Sequence, residues 1–209
     1  MKVLLVNGSP HAAGSTNRAL SEVAGVLREE GVEAEVFQLG AGPISGCVDC
    51  RRCTGVGRCA IDDIVNLFID RARETDGFIF GSPVHYAAAC GSITSFMGRV
   101  FFSSSKGEGV FYLKPAACVL VARRGGTVTA FDQINKYFTI SEMPVISSRY
   151  WNIVFGTTPD EVAQDVEGLQ IMRVLGRNMA WFLKCKKAGE EAGVPFPKRE
   201  ARVFTNFIR

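Results

Sequence analysis

The chain has 209 residues, 47% of them hydrophobic and 22% charged, with 22 glycines against 8 prolines and a formal net charge of +3. That is enough for one domain burying roughly 70% of its extended-chain surface, and the balance excludes a disordered, collagen-like or fibrous protein. The near-neutral charge leaves no electrostatic footprint for nucleic acid, and no apolar run approaches the roughly 18 residues that span a bilayer, so neither nucleic acid nor membrane is expected as a partner.

Residues 2–7 form a short apolar run of β-branched and leucine residues, predicted as the first strand, and Gly8-Ser9-Pro10 follows at once. The apolar stretch in MKVLLVNGSP is too short for a signal-peptide core. Seven cysteines, an odd number, then point to a reducing, cytoplasmic setting in which thiols bind metal or stay free. A helix is predicted to start near Ser15 or Thr16, with a side chain capping its free N–H groups, and to present Leu20, Val23 and Leu27 before Gly31 ends it. Residues 33–39 read as the second strand. Residues 40–58 carry five glycines and three cysteines with little periodicity, the mark of a functional loop. Asp62 and Asp63 precede a helix carrying Ile64, Leu67 and Phe68.

The run GFIFG at 77–81 is predicted as a buried strand broken by Ser82-Pro83, with a helix over 91–102. Residues 116–122 (AACVLVA) read as a fourth strand, closed by Arg123-Arg124-Gly125-Gly126 and followed by a helix through Phe131, Ile134 and Phe138. Residues 143–146 are predicted as the fifth strand. Thr158-Pro159-Asp160-Glu161 is a capping box with proline at the first helical position, opening one long helix with Val162, Val166, Leu169, Met172, Met179 and Leu183. The organisation expected is one α/β domain over 1–188 with a cysteine-rich insert at 40–63, then a tail at 189–209.

Five apolar strands with intervening helices call for a doubly wound, five-stranded parallel sheet with helices on both faces. Such sheets bind ligands beyond the carboxyl ends of their strands, where strand order reverses. The unusual segments 8–17, 40–59, 82–90 and 123–129 all fall at those ends. In residues 8–17, glycine permits close approach while Ser9, Ser15, Thr16, Asn17 and the helix N–H groups supply donors, a pattern suited to a phosphate monoester. His11 could add positive charge. The spacing matches neither a Walker A loop nor the G-x-G-x-x-G fingerprint.

Cys47-x2-Cys50-x2-Cys53-x5-Cys59 is the sharpest signal. A compact run of this kind suits a [4Fe–4S] cluster, whereas structural zinc prefers two C-x2-C pairs set farther apart. Cys118, in a strand, reads as a small core residue.

With these motifs assembled, the chain resembles the flavodoxin-like NADPH-dependent FMN reductase family, in particular its iron–sulfur flavoprotein branch. The carrying segments are NGSPHAAGSTN at 7–17, CVDCRRCTGVGRCAIDD at 47–63, GSPVHYAAACGSITSFMGR at 81–99 and RRGG at 123–126. The resemblance implies a flavodoxin-like fold with FMN phosphate on residues 8–17. Pro83, Val84, His85 and Tyr86 would lie along the isoalloxazine, with Arg124, Gly125, Gly126 and Thr127 on its other side. The family often has arginine where this chain has His11.

Two functions stand at this stage. One is an FMN-dependent oxidoreductase passing electrons from NAD(P)H to a quinone, a nitro or azo compound, a flavin or a similar small acceptor, with no acid–base pair or catalytic triad required. The other is an electron-transfer protein in which a [4Fe–4S] cluster on Cys47, Cys50, Cys53 and Cys59 relays electrons from ferredoxin to FMN. A receiver domain would need an acidic cluster at the strand ends, where this chain has Asn7-Gly8 and Gly81-Ser82. The resemblance also implies a homodimer or homotetramer covering the flavin, with Tyr150, Trp151 and Asn152 near the interface. The apolar tail residues Val203, Phe204, Phe207 and Ile208 pack either on a partner or on their own domain.

Overall fold

A computed structural model describes residues 1–201, 203–205 and 207. The elements run β1 (Lys2–Asn7), α1 (Ser15–Glu29), β2 (Glu33–Gln38), α2 (Ile64–Arg73), β3 (Gly77–His85), β4 (Ala88–Ala89), α3 (Gly91–Ser104), β5 (Ala116–Ala122), α4 (Thr127–Ile140), β6 (Ile153–Phe155), α5 (Pro159–Gln164) and α6 (Val166–Glu191). Five strands are parallel in the order β2-β1-β3-β5-β6, and β4 folds back antiparallel on β3. Order therefore reverses between β1 and β3, the position where a doubly wound sheet opens a crevice.

The central strands are apolar along their whole length because both faces are covered, yet they still alternate. Leu4, Val6, Phe78, Phe80, Cys118 and Leu120 face a core shared with α2, α3 and α4. Val3, Leu5, Ile79, Ala117, Val119 and Val121 face a second core shared with α1 and α6. The first core is built around Phe68, which is fully buried and lies 5.1–6.3 Å, centroid to centroid, from the rings of Phe37, Phe78, Phe80, Phe96 and Phe111.

The fifth parallel strand is Ile153–Phe155, registered on Leu120–Ala122, and not residues 143–146. The earlier segment makes only an isolated bridge, Val145 to Ala116. Ala116 N–H donates to the Pro144 carbonyl and Ile146 N–H donates back to Ala116. Pro144 has no N–H to extend the ladder, so the segment pairs briefly at the start of β5 and leaves. The predicted C-terminal helix is also divided. Asp165 breaks it, its carboxylate accepting from Phe155 N–H at 2.7 Å and Gly168 N–H at 2.9 Å, so that one residue caps α6 and holds β6.

α6 continues to Glu191, past residue 188, and the described residues from 194 onward form no helix or strand. Val203, Phe204 and Phe207 are exposed, and Ile208 lies outside the described residues. Among the described residues no helix is long and apolar enough to cross a membrane. Phe68→Ala is expected to destabilise the domain by about 3–5 kcal/mol, read as a lower urea midpoint, because five rings lose their common neighbour.

Candidate flavin cleft and cysteine loop

β1 ends in buried Asn7, whose side chain organises the loop after it. Asn7 Oδ1 accepts from Ser9 N–H at 3.1 Å, and its Nδ2 donates to Gln38 Oε1 at 2.6 Å and the His11 carbonyl at 3.3 Å. Gln38 Nε2 donates in turn to the Ser9 carbonyl at 2.7 Å, and Ser9 Oγ accepts from His11 N–H at 3.2 Å. Gly8 N–H donates to the Gly81 carbonyl at 2.9 Å. A Cβ at Gly8 would lie 2.8 Å from that carbonyl oxygen, so the contact requires glycine.

The chain enters α1 through Gly14, which offers no side-chain cap. The expected cap from Ser15 or Thr16 is not made, because Ser15 Oγ donates across the crevice to the Thr157 carbonyl at 2.9 Å. Among the described residues, the N–H groups of Ser15, Thr16 and Asn17 have no protein partner. Thr16 Oγ1 is buried and also unpartnered. An orphaned hydroxyl beside an open helix N-terminus is a receptor for an anion.

This loop forms one end of a cleft of about 780 Å³, within the roughly 300–1,000 Å³ usual for small-molecule sites. Ser9, His11, Ser15 and Thr16 line it together with Pro83, Val84 and His85 from β3, and Val121, Ala122 and Arg123 from β5. No carboxylate is among its described lining residues. Tyr86 stands fully exposed at the tip of the β3–β4 hairpin with φ +59°, and the Ala87 N–H to His85 carbonyl bond of 2.7 Å tightens that turn. Asn17, Tyr86, Arg124 and Gly125 do not line the cleft. Gly126 lies behind Val84, and Thr127 lines a neighbouring hollow of about 370 Å³ with Tyr150 and Trp151. Both aromatic rings are exposed there, while Asn152 is buried with its Oδ1 unpartnered.

Residues 156–159 also line the cleft and were not anticipated. Misplacing the fifth strand hid them, although an apolar Ile-Val-Phe triplet directly before Gly-Thr-Thr-Pro was the available signal.

Cys47, Cys50, Cys53 and Cys59 line one small hollow of about 20 Å³ with Arg99, Phe102 and Ser103. The backbone is left-handed at Asp49 (φ +50°), Arg51 (φ +60°), Gly55 and Gly57 (both +74°). Of these, Asp49 and Arg51 carry strain, and the loop is closed by its own backbone bonds, Thr54 N–H donating to the Arg51 carbonyl and Val56 and Gly57 N–H to that of Cys53. The Arg52 backbone N–H holds the Cys50 thiol below its ordinary pKa, while burial pushes that of Cys53 up. Gly57 packs on Gly107, where a Cβ would meet the Gly57 Cα at 2.6 Å, so the loop is seated on the end of α3. Among the described residues no three His, Cys, Asp or Glu side chains converge closely enough for a single metal ion. By donor type, four thiols around one hollow would suit an iron–sulfur core.

The sequence profile of NADPH-dependent FMN reductases matches residues 1–158. The chain belongs to that family. It is a flavodoxin-like FMN flavoprotein of oxidoreductase type. An iron–sulfur flavoprotein of Methanocaldococcus jannaschii is 30% identical over 198 residues, covering 90% of this chain and 100% of that one. An iron–sulfur flavoprotein of Archaeoglobus fulgidus is 24% identical, covering 89% and 82%. A flavodoxin from the domain Archaea superimposes with a TM-score of 0.59 at 16% identity, covering 88% and 99%.

In this FMN reductase fold Asn7 holds the loop after β1 from below. Asn7→Ala is expected to cost about 1–3 kcal/mol in chemical denaturation, since it strands the buried Ser9 N–H and the half-buried Gln38 Oε1.

Proposed function

We propose that the chain is an FMN-dependent oxidoreductase that passes electrons from NAD(P)H to a small acceptor such as a quinone, a nitro or azo compound or a free flavin. The observation that carries this reading is the cleft itself, with the unpartnered Thr16 hydroxyl and uncapped α1 at one end and the Pro83–Val84 wall at the other. Bound FMN would supply the redox chemistry.

The residues bind, orient and exclude water. Ser9, Thr16 and the first-turn N–H groups of α1 would hold the phosphate dianion, with His11 at the loop surface. Pro83, Val84 and His85 would form one wall for the ring and Val121 and Ala122 another, with Arg123 at the rim. The exposed Tyr86 and Arg124 leave the outer face open, so a nicotinamide can stack without a second nucleotide-binding domain. The same openness suits a homodimer or homotetramer in which a second copy gives cover.

Thr16→Val keeps the shape and removes the hydroxyl. FMN affinity is expected to fall about tenfold to a hundredfold, the loss of one hydrogen bond to a charged group, while stability of the flavin-free protein is unchanged. A protein that releases no flavin on denaturation and binds no added FMN overturns the proposal.

A second reading is favoured by the gathering of all four cysteines on one hollow under a strained, left-handed loop. In it Cys47, Cys50, Cys53 and Cys59 hold a [4Fe–4S] cluster, and the protein transfers single electrons with ferredoxin as donor. The names of the two relatives described above point the same way. Anaerobic reconstitution with iron and sulfide separates the readings. About four irons per chain with slow NADPH oxidation supports the cluster. Iron-free protein with full flavin and rapid NADPH oxidation leaves the first reading alone.

A further inference from the structure

Arg99 is the one fully buried charged side chain among the described residues, and the flavin cleft makes no use of it. It projects from α3 into the back of the cysteine loop. Its Nε and Nη2 each lie 3.3 Å from Cys59 Sγ. Nη1 and Nη2 also grip the Asp63 carboxylate at 2.7 and 2.9 Å, and the carbonyls of Ile61 and Ser45 lie 2.9 Å from Nη2 and 3.4 Å from Nη1, so that six acceptor contacts share the five N–H groups. Asn66 holds the Cys59 backbone from the other side, with its Oδ1 accepting from Cys59 N–H and its Nδ2 donating to the Cys59 carbonyl, both at 2.9 Å. Cys59 is thus held at both its backbone and its sulfur.

Burying a guanidinium is costly unless its charge is met. Asp63 meets it on one side. On the other side two N–H groups converge on a single sulfur, which is a weak acceptor as a thiol and a strong one as a thiolate. We propose that Arg99 is a positioning residue for Cys59 as a cluster ligand, and that its buried charge raises the cluster's reduction potential. This rests on the second reading above. Taking up one electron makes a cluster more negative, and a cation in a poorly solvated position beside a ligand sulfur stabilises that reduced form. Asp63 opposes the effect, so Arg99 and Asp63 act on the potential with opposite signs.

The test uses full-length protein reconstituted anaerobically, analysed for iron and sulfide, then titrated spectroelectrochemically beside two variants. Arg99→Met is expected to lower the potential so that, at the wild-type midpoint, the reduced-to-oxidised ratio falls at least tenfold, or about 59 mV for one electron. Asp63→Asn keeps a helix-capping side chain and removes the counter-charge, so its potential is expected to rise. General loosening of the loop would reduce iron content without moving the two midpoints in opposite directions. Unmoved midpoints, or shifts of the same sign, overturn the role of Arg99. Should Arg99→Met fail to fold, Asp63→Asn decides alone: a rise supports the assignment and no rise overturns it. Wild-type protein that takes up no iron fails the cluster reading itself, an outcome distinct from iron uptake with an unmoved potential.

Discussion

The hydrogen bond from Gly8 N–H to the Gly81 carbonyl joins the ends of β1 and β3 at the point where strand order reverses, and the carboxyl edge of the sheet is arranged around it. Only a residue without Cβ permits that approach. With the two strand ends locked together, the chain after Gly8 must climb over the sheet edge, and Asn7 and Gln38 hold it there through partly buried side-chain bonds. The cost of this path is a helix that begins without a capping side chain and a threonine hydroxyl without a partner. Both deficits face the same cleft. A phosphate relieves them together, which is why the loop is read as a receptor and not merely as a turn.

α3 ties this receptor to the cysteine loop. At its start, Cys90 Sγ and Ser92 Oγ both donate to the Gly8 carbonyl, at 3.1 and 3.2 Å. Eight residues after Gly91, the first of the helix, and about 12 Å along its axis, Arg99 reaches Cys59 and Asp63. The helix is packed on the aromatic core through Phe96, Val100 and Phe101. One rigid element therefore sets the positions of both candidate redox sites, and displacement of either end would be felt at the other.

Much of this was legible in the residues because burial on both faces leaves a strong mark. The runs at 2–7, 77–81 and 116–122 are nearly uninterrupted apolar segments, and each became a central strand. The fifth strand left only a faint mark. Only three residues long, with exposed Phe155 at its end, it has a weaker pattern than residues 143–146, and the missing N–H of Pro144 decides between them. The cleft shows the same division. Donor-rich residues 9–16 could be read from composition, whereas Pro83, Val84 and His85 were expected there only from the family resemblance; all three line the cleft. Which of two adjacent arginines turns inward depends on how β5 ends, and Arg123 lines the cleft where Arg124 was expected. Arg99 left almost no trace. A single charge within SFMGRVFF reads as the exposed side of a helix, and only the loop folded over it from residues 45–63 makes it buried.

The central claim is that the start of α1 is an anchor for a phosphate ester. Comparing FMN with riboflavin isolates that group, since the two share the ring and the ribityl chain. Titration of flavin-free protein with each is expected to give at least a hundredfold tighter binding of FMN, about 2.7 kcal/mol, with the difference much reduced in Thr16→Val. Equal affinity for the two flavins would contradict the account.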